Sequence, residues 1–236
     1  GNPMLALWKI LVKYKMLLIG GVKITVIISV LTILFGLIFG TLMAFMKMSK
    51  VRLLRWFANA YVEFIRGTPV LVQISIVFYG LPMIGIHVPS IMFGGVDISR
   101  LVSGIVALTI NSTAYICEIV RGGILSVDRG QTEGALALGM SNARTLLCIV
   151  LPQAMKNILP SLSNEFITII KTSSQVSVIG IGELMYAADT IRGISFQPMA
   201  PLILVALIYF LITSVFSFIL KKIEKRMSRS TQRVAN

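Results

Sequence analysis

A chain of 236 residues that is 56% hydrophobic and only 13% charged, with a mean hydropathy of +0.88, is not a soluble globular domain, where charged residues make up about a quarter. Its formal charge of +13 arises from 22 Lys and Arg against 9 Asp and Glu, but the basic residues stand at the edges of long apolar runs, which indicates membrane topology and not nucleic-acid binding. Two cysteines without a CxxC or His-pair spacing, and a single histidine, exclude a disulfide scaffold, a structural zinc site and imidazole-based acid–base chemistry.

Residues 1–22 show an apolar helical stripe, Met4, Leu7, Trp8, Leu11, Tyr14 and Leu18, with Lys9 and Lys13 on another face. This pattern predicts an amphipathic helix lying in the membrane interface. The lysines interrupt the apolar run, so it does not read as a cleavable signal. Crossing ~30 Å of hydrocarbon takes roughly 20 apolar residues in a helix, which satisfies its own backbone there. Five segments of a transmembrane domain over 23–221 meet this: about 24–46, 59–82, 101–120, 157–179 and 196–220. The fourth is the most polar, because Glu165 and Lys171 interrupt it at a depth where each charge costs ~2.5–3.5 kcal/mol on insertion scales. A span kept despite that cost points to function.

The expected fold class is therefore an all-α membrane protein with five transmembrane helices per subunit. Its termini lie on opposite sides. The tail over 222–236 is basic, and with it Lys47, Lys50, Arg52 and Arg55, and Arg121, Arg129, Arg144 and Lys156, fall on one side, against Arg100 and Arg192 in the opposite loops. The positive-inside rule then places the C-terminus in the cytoplasm and the N-terminus outside. Lys9, Lys13, Lys15 and Lys23 run against the rule.

Between the third and fourth spans lies a cytoplasmic stretch, 121–155, far longer than the usual connection of a few residues between neighbouring helices. Gly130-Gln131-Thr132-Glu133 leads into Gly134-Ala135-Leu136-Ala137-Leu138-Gly139, a short helix with a small-residue face that ends at Gly139. Ser141 is placed to cap a second helix bearing Leu146, Leu147, Ile149 and Val150 and bending at Pro152. Such a helix pair suits docking into a groove of another protein, and equally an interfacial helix without a partner.

Glu133-Gly134-Ala135, three residues, Gly139, nine residues, Ile149, one residue, Leu151-Pro152 resembles the EAA signature of permease subunits in binding-protein-dependent ATP-binding-cassette importers, with Gly134 where alanine is usual. Arg66-Gly67-Thr68-Pro69 with Gln73, Tyr115 with Glu118, Arg121-Gly122-Gly123-Ile124, Ser126-Val127, Gly130-Gln131, and Asn164-Glu165-Phe166 with Lys171 resemble the polar amino acid permeases of that superfamily, over about residues 20 to 227. The chain departs from them after Lys171, reading Thr172-Ser173-Ser174-Gln175.

The resemblance implies a type I importer permease fold in a prokaryotic cell membrane, working in a pair with an identical or paralogous permease. It further implies two ATPase subunits that hold ATP and Mg, an extracytoplasmic solute-binding protein, and coupling to the ATPase through Glu133, Gly134, Ala135, Gly139, Ile149, Leu151 and Pro152. The chain itself is expected to bind no cofactor, metal or nucleic acid and to be no enzyme. It has no Gly-Lys dipeptide for a P-loop and no HExxH, GxSxG or EF-hand spacing.

Counting ~1.5 Å per residue from the span ends sets Thr68, Gln73, Asn111, Ser112, Thr113, Glu165, Thr168 and Lys171 at matching depth, where transporters place substrate beside interrupted helices. Lys171 or Arg66 would meet a substrate carboxylate, and Glu165, Asn111 or Ser112 its ammonium, with Tyr115 and Glu118 further candidates for the path. The same residue types also hold helices together. Glu63 with Arg66, and Glu118 with Arg121, spaced i, i+3, read as an inner gate or helix clamp. A secondary transporter or channel without an ATPase partner is the alternative function, but five spans do not divide into inverted halves and that class does not account for 121–155.

Overall fold

The computed structural model describes residues 3–234, with side chains over 4–227. The extreme ends of the N-terminal segment and of the basic tail, including the side chains of Arg229 and Arg233, lie outside the described residues. Ten helices follow in order: α1 (Pro3–Lys13), α2 (Lys15–Met48), α3 (Arg52–Arg66), α4 (Val70–Met83), α5 (Ile98–Leu125), α6 (Arg129–Ala137), α7 (Asn142–Thr145), α8 (Leu151–Thr172), α9 (Leu184–Ser195) and α10 (Ala200–Val234). A π-helical turn, Leu146–Val150, joins α7 to α8, and a 3-10 segment, Ser173–Ile179, continues α8. Four helical stretches are long and apolar enough to cross a bilayer, and α3 with α4, bent by 109° at their junction, pass the same test as a pair, which counted as one broken span gives five.

The bounds differ from the sequence expectation in physically informative ways. The expected continuous span over 59–82 is two helices, since Pro69 has no N–H to donate and disfavours helical backbone at Thr68. The fourth membrane helix begins inside the expected loop: α7, the π turn and α8 run on as one stretch, Asn142–Ile179. Ser141 caps it, accepting from Arg144 N–H at 3.3 Å, and Pro152 follows directly on the π turn, whose wider i→i−5 bond runs from Leu151 N–H to the Leu146 carbonyl. The helix α9 was not anticipated. Nor was a two-stranded antiparallel hairpin, β1 (Met92–Phe93) with β2 (Val96–Asp97), closed by Gly94 and Gly95 at φ +58 and +82, the primed-turn geometry that favours glycine.

The N-terminal helix packs one face on the bundle. Ile10, Tyr14 and Leu18 are buried, with Leu7 and Leu11 packed beside them against α8, α9 and α10, while Met4 and Trp8 are exposed. The apolar stripe is thus used for packing, and α2 starts at Lys15, within the segment expected to lie flat.

Helices α2 and α5 form the centre. The buried face of α2 is a seam of small residues, Gly21, Thr25, Ser29, Thr32, Gly36, Gly40 and Ala44, spaced three or four apart so that they share one side. A Cβ on Gly40 would stand 2.7 Å from Ile116 Cβ, and one on Gly36 2.7 Å from Ser112 Oγ. Such close backbone approach is how helices associate in lipid, where burying apolar surface gives no net drive.

The bundle has two distinct ends. At one, Lys47 Nζ donates to Glu118 Oε1 at 2.5 Å, joining α2 to α5, and Asn157 Nδ2 donates to Ser126 Oγ at 2.7 Å, joining α8 to the exit of α5. At the other, Arg100 Nη1 donates to the Ile179 carbonyl at 3.0 Å, and Leu184 N–H donates to Thr25 Oγ1 at 3.3 Å. Glu183, fully buried, caps α9 by accepting from Met185 and Tyr186 N–H at 2.9 and 2.8 Å, and Tyr209 donates to it at 2.6 Å. These contacts tie α9 to α2 and α10.

Candidate functional site

The bend between α3 and α4 is held by its own polar side chains. Thr68 Oγ1 donates to the Phe64 carbonyl at 3.0 Å. Gln73, one turn into α4, folds back, and its Nε2 donates to the Ile65 carbonyl at 2.9 Å and to Thr68 Oγ1 at 2.8 Å. Gln73 Oε1 accepts from Asn111 Nδ2 at 3.0 Å, which fastens the bend to α5. Interrupting a helix at membrane depth frees backbone groups, and such irregular backbone is tolerated where protein or a cavity covers it.

A cavity of about 310 Å³ lies against this bend. Thr68, Pro69 and Val70 line it from the break, Leu108, Asn111, Ser112 and Tyr115 from α5, and Glu165, Thr168, Ile169 and Thr172 from α8. Both helices contribute residues at i, i+3, i+4 and i+7, so each offers one face. The guanidinium of Arg66 stands 5.6 Å from the Tyr115 ring centroid, a cation–π contact beside the lining. Glu165 is half-buried and belongs to no ion pair among the described residues. The first turn of α4 opens onto the cavity at Val70, where a helix N-terminus favours negative charge. The space therefore combines an anion-favouring side, near Arg66 and α4, with a carboxylate on the opposite helix.

Of the residues expected in the path, Thr68, Asn111, Ser112, Tyr115, Glu165 and Thr168 meet here, with Gln73 and Arg66 in contact with lining residues. Three do not. Lys171 is exposed and outside the lining, because it lies one position, about 100° of helix rotation, from Thr172, which faces the cavity. Thr113 is likewise one position from Ser112 and lines a different, mostly apolar cavity of about 680 Å³ beside Tyr61, Phe35 and Phe39. Glu118 is held by Lys47 at 2.5 Å and by Arg121 Nη2 at 2.8 Å, as a clamp between α2 and α5 and not as a lining residue. Arg66 forms no ion pair with Glu63 among the described residues, and turns to Tyr115 instead. Sequence reasoning missed Thr172 and the clamp residue Lys47. The i+7 relation of Thr172 to Glu165 was the available signal, whereas Lys47, 71 residues from Glu118, offered none.

In the long connection, α6 ends as a Schellman motif. Met140 N–H donates to the Ala135 carbonyl at 3.1 Å and Gly139 N–H to the Leu136 carbonyl at 3.0 Å, with Gly139 at φ +84. Glu133, Gly134, Leu136 and Leu138 are exposed, Leu138 at 87%. Ala135, expected on the outward small-residue face, is buried within the chain at 7% exposure. Ile149 and Leu151 are half-buried, and Pro152 is exposed at the base of α8.

Residues 36–229 match the family described as the binding-protein-dependent transport system inner membrane component. The chain belongs to this family. It is 38% identical over 211 residues to the glutamine transport system permease protein GlnP of Escherichia coli (strain K12), covering 89% of this chain and 93% of that one. It is 38% identical over 207 residues to the arginine transport system permease protein ArtQ of Bacillus subtilis (strain 168), covering 88% and 90%. The fold matches the crystal structure of an amino acid ABC transporter with histidines at a TM-score of 0.82 and 41% identity, over 92% of this chain and 96% of that one. The inward-facing MetNI methionine ABC transporter shares the fold at a TM-score of 0.72 with 18% identity, over 96% and 99%. As a member of this family the chain is a multi-pass inner membrane component of a prokaryotic transport system.

Proposed function

We propose that the chain is the permease subunit of an ATP-driven importer for polar amino acids, that the cavity at the α3–α4 bend is its substrate path, and that α6 with the following π turn couples it to a separate ATPase. The observation behind this reading is the two-sided chemistry of the cavity. A zwitterionic amino acid needs a cation or helix N-terminus for its carboxylate and acceptors for its ammonium. Arg66 and the start of α4 supply the first, and Glu165 with the Asn111 side-chain oxygen the second. The identity to GlnP and ArtQ supports an amino acid as cargo, and the match to an amino acid ABC transporter supports an ATPase partner.

The working assembly in this reading has a second permease, identical or paralogous, two ATPase subunits holding ATP and Mg, and an extracytoplasmic binding protein. The N-terminus is outside and the tail after α10 cytoplasmic. Coupling falls to the outward residues Glu133, Gly134, Leu136 and Leu138, with Gly139 shaping the helix end. The fixed Gln73–Asn111 bond holds α4 against α5, so that substrate meets a preformed surface and not a flexible hinge.

The experiment is transport by Glu165→Gln and Asn111→Ala in reconstituted complexes shown to assemble and to hydrolyse ATP. Each variant is expected to lose transport or apparent affinity by tenfold or more, as removal of a charge-assisted hydrogen bond of ~1.5–3 kcal/mol requires. Parental rate and affinity in both would remove the cavity from the path.

A further inference from the structure

At the end of the bundle marked by Lys47 and Glu118, α8 and α10 leave a cleft of about 360 Å³ between them. Lys156 lines it from α8, and Lys221 and Lys225, one turn apart, line it from α10; Glu224 is the one acid of the lining. Lys156 and Lys221 pair with no carboxylate among the described residues. Two ammonium groups without an ion-pair partner, Lys156 and Lys221, share a space with a single carboxylate and repel each other, and an entering anion relieves that repulsion. Met155, Leu159 and Pro160 give the cleft an apolar floor.

Lys221 also borders a further space along α10, on the side of its apolar run. A second cavity of about 400 Å³ is lined by Ile167, Thr213, Ser214, Ser217, Phe218 and, again, Lys221. From Lys221 to Thr213 is ~12 Å at 1.5 Å per residue. Basic residues thus cluster where α10 leaves its apolar run, and a groove of mixed hydroxyl and apolar walls leads from them into the hydrocarbon. A free phosphate would use only the outer cleft. A phospholipid fits both parts, with its phosphate among the lysines, its glycerol esters near the hydroxyls and an acyl chain against Ile167 and Phe218.

We infer that the α8–α10 cleft is a binding site for an anionic glycerophospholipid, whose phosphodiester is held by Lys156 and Lys221. Basic pockets between membrane helices hold such headgroups by charge while the lysine stems stay in apolar contact. Glu224 is placed to accept from a headgroup hydroxyl, which favours a glycerol over a choline headgroup. Since Lys156 lies one turn beyond Pro152, at the root of the stretch that begins at Asn142, the lipid fastens that root to α10.

The test is native mass spectrometry of the complex purified with the full chain, delipidated in detergent and titrated with phosphatidylglycerol, phosphatidylcholine or inorganic phosphate. Phosphatidylglycerol is expected to bind and phosphatidylcholine not to. Lys156→Gln with Lys221→Gln is expected to weaken phosphatidylglycerol binding about thirtyfold, since each lysine at an anionic lipid surface adds roughly a fivefold factor. The paired Arg variants, and Lys50→Gln at the same end but off the cleft, should retain it. If the double variant fails to assemble, each single Gln variant should show about a fivefold loss. Undiminished retention in the Gln variants overturns the site, and displacement of phosphatidylglycerol by equimolar inorganic phosphate makes it a soluble-anion site instead.

Discussion

Gly134 and Gly139 lie in the same short stretch, yet the structure asks different things of them. Gly139 sits at φ +84, where an L side chain is strained, so any bulky replacement there damages the Schellman end of α6 itself. Gly134 lies inside α6 with open space where a Cβ would go, and a side chain at an exposed helical position costs the fold nothing. Gly134→Trp is therefore the clean probe of docking. It should fold and reach the membrane normally, while co-purification of the ATPase and transport both fall at least tenfold; normal recovery of the ATPase would show that this face is not where it binds. The same scale explains what could be read of the cavity. Counting residues along the spans grouped Asn111, Ser112, Glu165 and Thr168, and these line one cavity. Rotation about the helix axis was used too little, so Lys171 and Thr113 were grouped with residues that line the cavity, each standing one residue and about 100° away from one that does, Thr172 and Ser112.

Helices in this chain associate through what their faces lack. The α2 seam presents Gly36, Gly40 and Ala44 to α5, and Gly40 brings the α5 backbone near enough that a Cβ would also stand 3.2 Å from Cys117 N. Gly40→Ala should separate α2 from α5 and destabilise the chain by ~1–3 kcal/mol, the usual cost of overpacking. Ile116→Ala in the same chain should recover part of that loss and not all of it, because it removes the crowded Cγ2 while the equally near Cβ stays. Thermal stability of the two single variants and the double variant in detergent decides it, and simple additivity of the two losses would refute the steric account. Apolar run length made four of the membrane-crossing stretches legible. The bend at Thr68-Pro69 was written in the sequence as a proline two residues after a glycine, but hydropathy averages over it, so it passed for one continuous helix. The helix α9 escaped for a related reason: its 12 residues are too short to span, and its place depends on Glu183, Thr25 and Tyr209, which are far apart in the chain.

At the scale of the whole molecule, charge sorts with the two ends of the bundle. Lys47, Lys50, Arg52, Arg55, Arg121, Arg129, Arg144, Lys156, Lys221 and Lys222 gather at the end from which α6 and α7 project, and the exposed Lys9, Lys13, Lys15 and Lys23, with Arg100 and Arg192, stand toward the other. Positive charge is retained on the cytoplasmic side during insertion, so the larger group should lie inside and the four N-terminal lysines outside, tolerated because their helix is held by packing. Two native thiols constrain the test. Cys117 is buried and should stay silent, whereas Cys148 is exposed in the π turn and should react with a membrane-impermeant maleimide only after the membrane is opened. In a Cys148→Ser background, His87→Cys in the exposed loop between α4 and α5 should label in intact cells, and Arg226→Cys near the end of α10 should label only in opened membranes. Labelling of Arg226→Cys from outside would invert the bundle, move the exposed face of α6 away from the ATP-containing compartment, and with it overturn the coupling role proposed for Glu133, Gly134, Leu136 and Leu138.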